Sequence, residues 1–148
     1  MFASLDTKQQ IKQLELSPDG LTVYALFDNL VGVFQIAEMT ILQSRFQTFR
    51  GVSRIKVSHG GGYLAICMDN DVSPVIDIYR VESGQLQCSL KCHNAPIAYI
   101  DFLSGDAVFV SSSVDGVFYG HQVGSGRRVF ETILRGLQLN YSFIAMGS

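Results

Sequence analysis

Cys88, Cys92 and His93 lie within six residues of one another, and thiols and an imidazole at that spacing are the side chains that bind zinc. A four-coordinate site draws paired ligands from two such clusters. The remaining candidates, Cys67, His59 and His121, each stand alone, so no second cluster completes the set and no metal is expected. A second arrangement is VSHGGGYLAIC, residues 57–67, where three glycines follow His59. A phosphate cradle needs such glycines to open a helix, so that backbone N–H groups and the helix dipole face the anion. Here an apolar stretch rich in strand formers follows, so the glycines read as a turn and His59 as a solvated turn residue. Cys67 or Cys92 with a histidine would make a nucleophile and base. Neither sits in a nucleophile-elbow or active-site motif, and Cys67 falls in an apolar run where thiols serve as packing groups. No catalytic residue and no cofactor is assigned.

The composition narrows the class further. The 148 residues are 47% hydrophobic and 16% charged, ample material for one core. Eleven basic and thirteen acidic residues give a net charge of −2 with no run of either sign, so the electrostatic footprint of a nucleic-acid binder is missing. The aromatic residues alternate with apolar positions rather than with Lys or Arg, which also argues against a stacking platform for single strands. Apolar runs are far shorter than the roughly 18–20 residues of a membrane span, and MFASLDTKQQ lacks the apolar core of a signal peptide. An odd number of cysteines, three, fits a reducing compartment. The expectation is an intracellular, cytoplasmic chain with no nucleic acid and no membrane insertion; a cytoskeletal or nuclear place is compatible.

Short stretches rich in Val, Ile, Phe and Tyr recur between Gly, Asp, Asn and Ser clusters, the pattern of an all-β chain. Three segments superpose: IKQLELSPDGLTVYALFDNLVGVFQI, VSRIKVSHGGGYLAICMDNDVSPVIDIYRV and IAYIDFLSGDAVFVSSSVDGVFYGHQV. Each opens with apolar residues two apart (Leu14 and Leu16, Ile55 and Val57, Ile100 and Phe102), the period of a strand that buries one face. Each continues through a hairpin turn, Ser17-Pro18-Asp19-Gly20, Ser58-His59-Gly60-Gly61-Gly62 or Ser104-Gly105-Asp106, whose residues tolerate positive φ. A second strand follows at 21–27, 63–68 and 107–111, apolar on both faces. After a turn marked by Asp28-Asn29, Asp69-Asn70-Asp71 or Asp115-Gly116 comes a third strand at 31–36, 75–81 and 117–123. A more polar fourth strand closes each unit at 41–46, 85–90 and 127–133. The matched third-strand residues Phe34, Tyr79 and His121 are 45 and 42 residues apart, within the roughly 40–50 of propeller blades.

These residues resemble the WD-repeat β-propeller family over about residues 11–134. Cys92-His93-Asn94-Ala95-Pro96 followed by the strand to Phe102 resembles the family's Gly-His dipeptide and first blade strand, with Cys92 in the Gly place. Ser17 to Gly20 matches the first hairpin, Val81-Glu82-Ser83-Gly84 and Val123-Gly124-Ser125-Gly126 the turn after the third strand, and Asp28 and Asp115 the Asp of the turn before it. No Trp occurs; Phe34-Gln35, Tyr79-Arg80 and His121-Gln122 stand where the family has Trp-Asp, so the family's buried hydrogen-bond set is incomplete in every blade. The resemblance implies that in the third blade His93 bonds Asp115, with Ser111 or Ser113 taking part.

The expected architecture is thus a partial β-propeller forming a single domain over 1–148. It has three four-stranded antiparallel blades at about 11–49, 52–92 and 93–135, plus strands of flanking blades near 2–5 and at 137–144. Propellers typically close with four to eight blades, so the unit needs completion: as a segment of a longer propeller, by another protein, or as a homodimer forming a six-bladed ring. The resemblance implies a non-enzymatic scaffold for protein partners in a larger intracellular assembly, of ciliary or cytoskeletal, trafficking or ribosome-assembly type. The face carrying the turns between second and third strands and the links between blades would receive them, through Asp28, Asn29, Arg50, Asp69, Asn70, Asp71, Asn94 and Arg135, with Arg50 and Arg135 foremost because arginine is enriched at binding hot spots. The alternative, an enzyme or small-ligand binder using the central channel, would rest on the strand-start residues Lys56 and Asp101.

Overall fold

The computed structural model describes residues 10–37, 40–49, 51–69 and 73–133. The strands expected at 2–5 and 137–144 lie outside these residues. Among the described residues the chain is all-β, with twelve strands and no helix. β1 (Gln13–Leu16), β2 (Thr22–Leu26), β3 (Leu30–Ala37) and β4 (Thr40–Thr48) form the first sheet, in that order. β5 (Val52–Val57), β6 (Tyr63–Met68), β7 (Val75–Arg80) and β8 (Leu86–Leu90) form the second. β9 (Ile97–Phe102), β10 (Val108–Ser113), β11 (Val117–Gln122) and β12 (Arg128–Ile133) form the third. Every pairing is antiparallel and each sheet is a separate meander, so the expected three four-stranded blades are present.

The first hairpins show why these residues turn where they do. Gly20 at φ 73° and Gly61 at φ 79° occupy the left-handed region that a Cβ disfavours. Each donates its N–H to the carbonyl of a serine three residues back, Ser17 at 2.9 Å and Ser58 at 3.0 Å. The serine hydroxyl then caps the start of the following strand, Ser17 Oγ accepting from Thr22 N and Ser58 Oγ from Tyr63 N, both at 3.0 Å. In the third unit Leu103 takes the serine's carbonyl role for Asp106 N, and Asp106 itself sits at φ 59°.

The core lies between sheets. Register places Leu14, Ile55 and Ile100 opposite Ala25, Ile66 and Ser111, so these three are equivalent positions of the first, second and third blades. Ile55, Val57, Leu64 and Ile66 of the second blade pack on Tyr24, Leu26 and Val31 of the first. Ile100, Phe102 and Phe109 of the third pack on Ala65, Cys67, Ile76 and Ile78 of the second, with the Phe102 and Phe109 rings edge to face at 4.9 Å. The middle strand β6 is therefore covered by a neighbouring sheet on both faces, Leu64 and Ile66 toward the first blade and Ala65 and Cys67 toward the third, which is why it lacks hydrophobic alternation.

Polar groups stitch the same seams. The Gln13 amide donates to Ile55 O at 2.7 Å and accepts from Ile55 N at 2.9 Å, while Glu15 Oε1 accepts from Val57 N at 3.0 Å. Arg54, at the position of Gln13 one blade on, donates to Ala98 O at 2.8 Å. The outward sides of β5 and β9 thus carry backbone groups bonded by side chains of the preceding blade.

The period-two pattern of β1 predicts a buried face, and here the structure differs. Leu14 and Leu16 are 55% and 63% exposed, whereas Ile55, Val57, Ile100 and Phe102 are 1%, 8%, 4% and 2% exposed. The physical reason is position: among the described residues no sheet precedes β1 to cover it.

Candidate interaction surface

The turns and links at one rim are contiguous. Asn29, in the β2–β3 turn, accepts Phe49 N at its carbonyl (2.8 Å) and Gly51 N at its side-chain Oδ1 (3.0 Å). Gly51 O accepts Asp69 N at 2.9 Å, and Asp69 Oδ1 accepts Ile97 N at 3.3 Å. Pro96 O accepts Val114 N at 2.9 Å, which brings in the β10–β11 turn. Asn29, Asp69 and, through its neighbours, Asn94 thus share this rim with Asp28. Their side chains differ in availability. Asn29 and Asp69 are spent on the links between blades, and Asp28 pairs with Lys12 at 3.1 Å. Asn94 is exposed. Arg50, Asn70, Asp71 and Arg135 lie outside the described residues.

His93, Ser111, Ser113 and Asp115 come together behind that rim, with a serine between the imidazole and the carboxylate. Ser113 Oγ–H donates to Asp115 Oδ1, and Ser113 Oγ lies 3.1 Å from His93 Nδ1. Ser111 Oγ lies 2.8 Å from His93 Nε2. Since Ser113 uses its proton on Asp115, the network assigns the imidazole proton to Nδ1, which donates to Ser113, while Nε2 accepts from Ser111. His93 and both serines are buried. Burial holds the His93 pKa below its ordinary value against the opposing pull of Asp115, and the Ser113 hydroxyl holds the Asp115 carboxyl below its own. The Tyr119 ring lies 4.9 Å from the His93 ring and 5.9 Å from that of His121, and the Arg128 guanidinium stands 4.1 Å from its centroid. His121, in the family's Trp place, is buried with no hydrogen-bond partner for Nδ1, and desolvation lowers its pKa too.

Of the residues with zinc-like spacing, Cys88 and Cys92 pack partly buried against the core between the second and third blades, while His93 belongs to the hydrogen-bonded set above. Burial pushes the Cys67 thiol up to about 11 and raises Cys88 and Cys92 as well, the reverse of an activated nucleophile. The central-channel candidates face each other, Lys56 Nζ lying 3.8 Å from Asp101 Oδ1. The glycine turn does hold an anion, supplied by the neighbouring blade: Asp106 Oδ1 accepts His59 N at 2.9 Å and Oδ2 accepts Gly60 N at 2.6 Å. His59 is exposed as expected of a turn residue, yet its Nε2 reaches Phe102 O at 2.8 Å.

One feature of the outer seams has no single-residue signal in the sequence. Between the first and second blades a groove of about 140 Å³ opens, bounded by Arg45 on β4 and by Arg80 at the end of β7. Only superposing the fourth strands of the repeats, residue by residue, finds it.

No protein-family model matches the chain, and no curated protein matches it. Solved structures do. The chain is similar to the structure of U3-55K, at 19% identity and a TM-score of 0.69, over 85% of this chain and 40% of that one. It is similar to the RRP9 WD40 repeats at 19% identity and a TM-score of 0.69, over 85% of this chain and 39% of that one. Hsv2 of Kluyvelomyces marxianus matches at 16% identity and a TM-score of 0.63, over 86% of this chain and 40% of that one. The chain therefore spans about two fifths of the length of these structures. What the three blades, their meander order and these likenesses establish together is the fold: the chain has the architecture of a WD40-repeat β-propeller segment.

Proposed function

We propose that the chain is a non-enzymatic protein-interaction scaffold, a propeller segment working inside a larger intracellular assembly. The observation that carries this reading is the open flank of the first blade. Leu14 and Leu16 lie exposed where their equivalents in the next two blades are sealed. At the other end Tyr99, Phe130 and Val129 are exposed on the third blade. Apolar end faces of stacked repeats call for capping by further blades. Those of a longer propeller rank first as the cover, then a partner protein or a second copy closing a ring. Asp28 and Asn94, with Arg50, Asn70, Asp71 and Arg135, are the proposed contacts of the partner-binding rim, and Asn29 and Asp69 hold that rim in shape. The His93, Ser111, Ser113 and Asp115 set is proposed to stabilise the third blade rather than to catalyse.

Light scattering of the purified chain, followed by affinity purification and mass spectrometry, tests the reading. Recovery of stoichiometric protein partners, lost when Asp28 and Asn94 are replaced by alanine, supports it. A monodisperse monomer that recovers no partner counts against it, and a clean two-copy particle moves the homodimer to first place.

A further inference from the structure

The repeats supply their own control for the outer seams. Register pairs Val33 with Arg45 in the first blade and Ile78 with Cys88 in the second, so Arg45 and Cys88 are equivalent; Gln47 and Leu90 are equivalent in the same way. In the second blade Leu90 is buried and Cys88 half-buried in the core shared with the third. The turn of the third blade closes on them, so that a Cβ on Gly126 would stand 3.2 Å from Cys88 Cβ and 3.9 Å from Leu90 Cδ2. In the first blade the same places hold exposed Arg45 and Gln47, and the matching Gly84 has no atom within 4 Å of its Cβ position. The seam is sealed between the second and third blades and open between the first and second.

The open groove has apolar walls, including Val33, Leu64, Tyr79 and Val81, and its volume of about 140 Å³ matches a single bulky side chain; an apolar cavity of roughly 150 Å³ accommodates benzene. Its rim carries two cations, Arg45 and Arg80, both exposed. Neither guanidinium has a carboxylate within 4 Å among the described residues. Arginine presents a planar fork suited to bidentate carboxylate pairing. We propose that this groove docks an acidic peptide segment of a partner protein, one Leu, Ile or Phe side chain entering between the blades and flanking Asp or Glu carboxylates pairing with Arg45 and Arg80. The site is separate from the turn-bearing rim and stands or falls independently of it.

Random heptapeptides displayed on phage and selected on the whole chain, with counter-selection on the Arg45→Gln/Arg80→Gln variant, test the assignment. Both side chains are exposed, so the variant keeps its melting temperature. The enriched peptides are expected to carry acidic residues on both sides of one Leu, Ile or Phe. Synthesised with a fluorescent label, they should bind the double variant at least tenfold more weakly by anisotropy, and bind Asp28→Ala/Asn94→Ala unchanged. Arg45→Glu/Arg80→Glu should instead enrich basic peptides. Failure to enrich any peptide, enrichment without acidic residues, or affinity indifferent to both arginines would overturn the proposal.

Discussion

Asp106 closes over Gly60: its carboxylate accepts the Gly60 N–H at 2.6 Å and the His59 N–H at 2.9 Å, joining hairpins that lie 46 residues apart in sequence. The carboxylate is one blade's answer to the unpaired backbone donors of another. Asp106 achieves this from φ 59°, a conformation that costs a non-glycine residue about 1 kcal/mol or more. Asp106→Ala keeps the backbone cost and loses both bonds, and is expected to destabilise the chain by about 1–3 kcal/mol in urea unfolding. Asp106→Gly loses the bonds but relieves the strain, so it should be the milder of the two.

The buried histidines give stability a pH dependence with a defined sign. Desolvation lowers the His93 pKa in the fold from its ordinary 6.5. Above 6.5 both folded and unfolded chains hold it neutral. As pH falls through 6.5 the unfolded chain takes up a proton that the fold resists, so stability declines from there until the folded His93 itself titrates. His121 acts in the same sense, whereas the lowered pKa of Asp115 weakens the fold only in the acid range below its ordinary 3.8. Denaturant midpoints measured from pH 7.5 to 5 should fall, and His93→Gln should flatten that slope. At pH 7.5, His93→Ala should cost about 1–3 kcal/mol, because Ser111 and Ser113 lose a buried partner.

Thiol labelling reads the seams directly. With its pKa raised to about 11 and its side chain in the core between the second and third blades, Cys67 should resist iodoacetamide at pH 8 in the native chain and react on unfolding. Labelling of Cys67 at the rate of a free thiol would mean that this seam opens readily.

Much of the fold is legible in the residues because it is local. Ser17 to Gly20 and Ser58 to Gly62 carry turn chemistry within five residues, and the apolar second strands announce burial on both faces. What the sequence hides depends on partners far along the chain. The triple glycine reads as a turn, but that it embraces Asp106 follows only from how two blades stack. Leu14 and Ile55 share one period and one residue type class, yet one is exposed and the other sealed, because burial here belongs to the neighbouring blade and not to the strand. His93, Ser111, Ser113 and Asp115 are suggested together by their motif places, while the order in which they bond, with Ser113 between the imidazole and the carboxylate, follows only from the fold. Arg45 and Cys88 have nothing in common until their strands are laid in register.

The open flank predicts an asymmetry between equivalent positions. Leu14→Ser and Leu16→Ser should each change stability by no more than about 0.5 kcal/mol, as surface substitutions do. Ile55→Ser should cost at least about 2 kcal/mol, since it empties a sealed site and buries a hydroxyl. The Leu14 and Leu16 variants should also reduce any concentration-dependent association seen by light scattering.

Amide hydrogen exchange on the first strands tests most directly whether each blade is sheltered by the one before it. Ile55 N and Val57 N, held by Gln13 and Glu15 across the seam, should exchange slowly, and Gln13→Ala/Glu15→Ala should speed them. Leu14 and Leu16, at the same places in the repeat with no preceding sheet among the described residues, should exchange fast. Equal protection at all four amides, unmoved by the double substitution, would contradict the account.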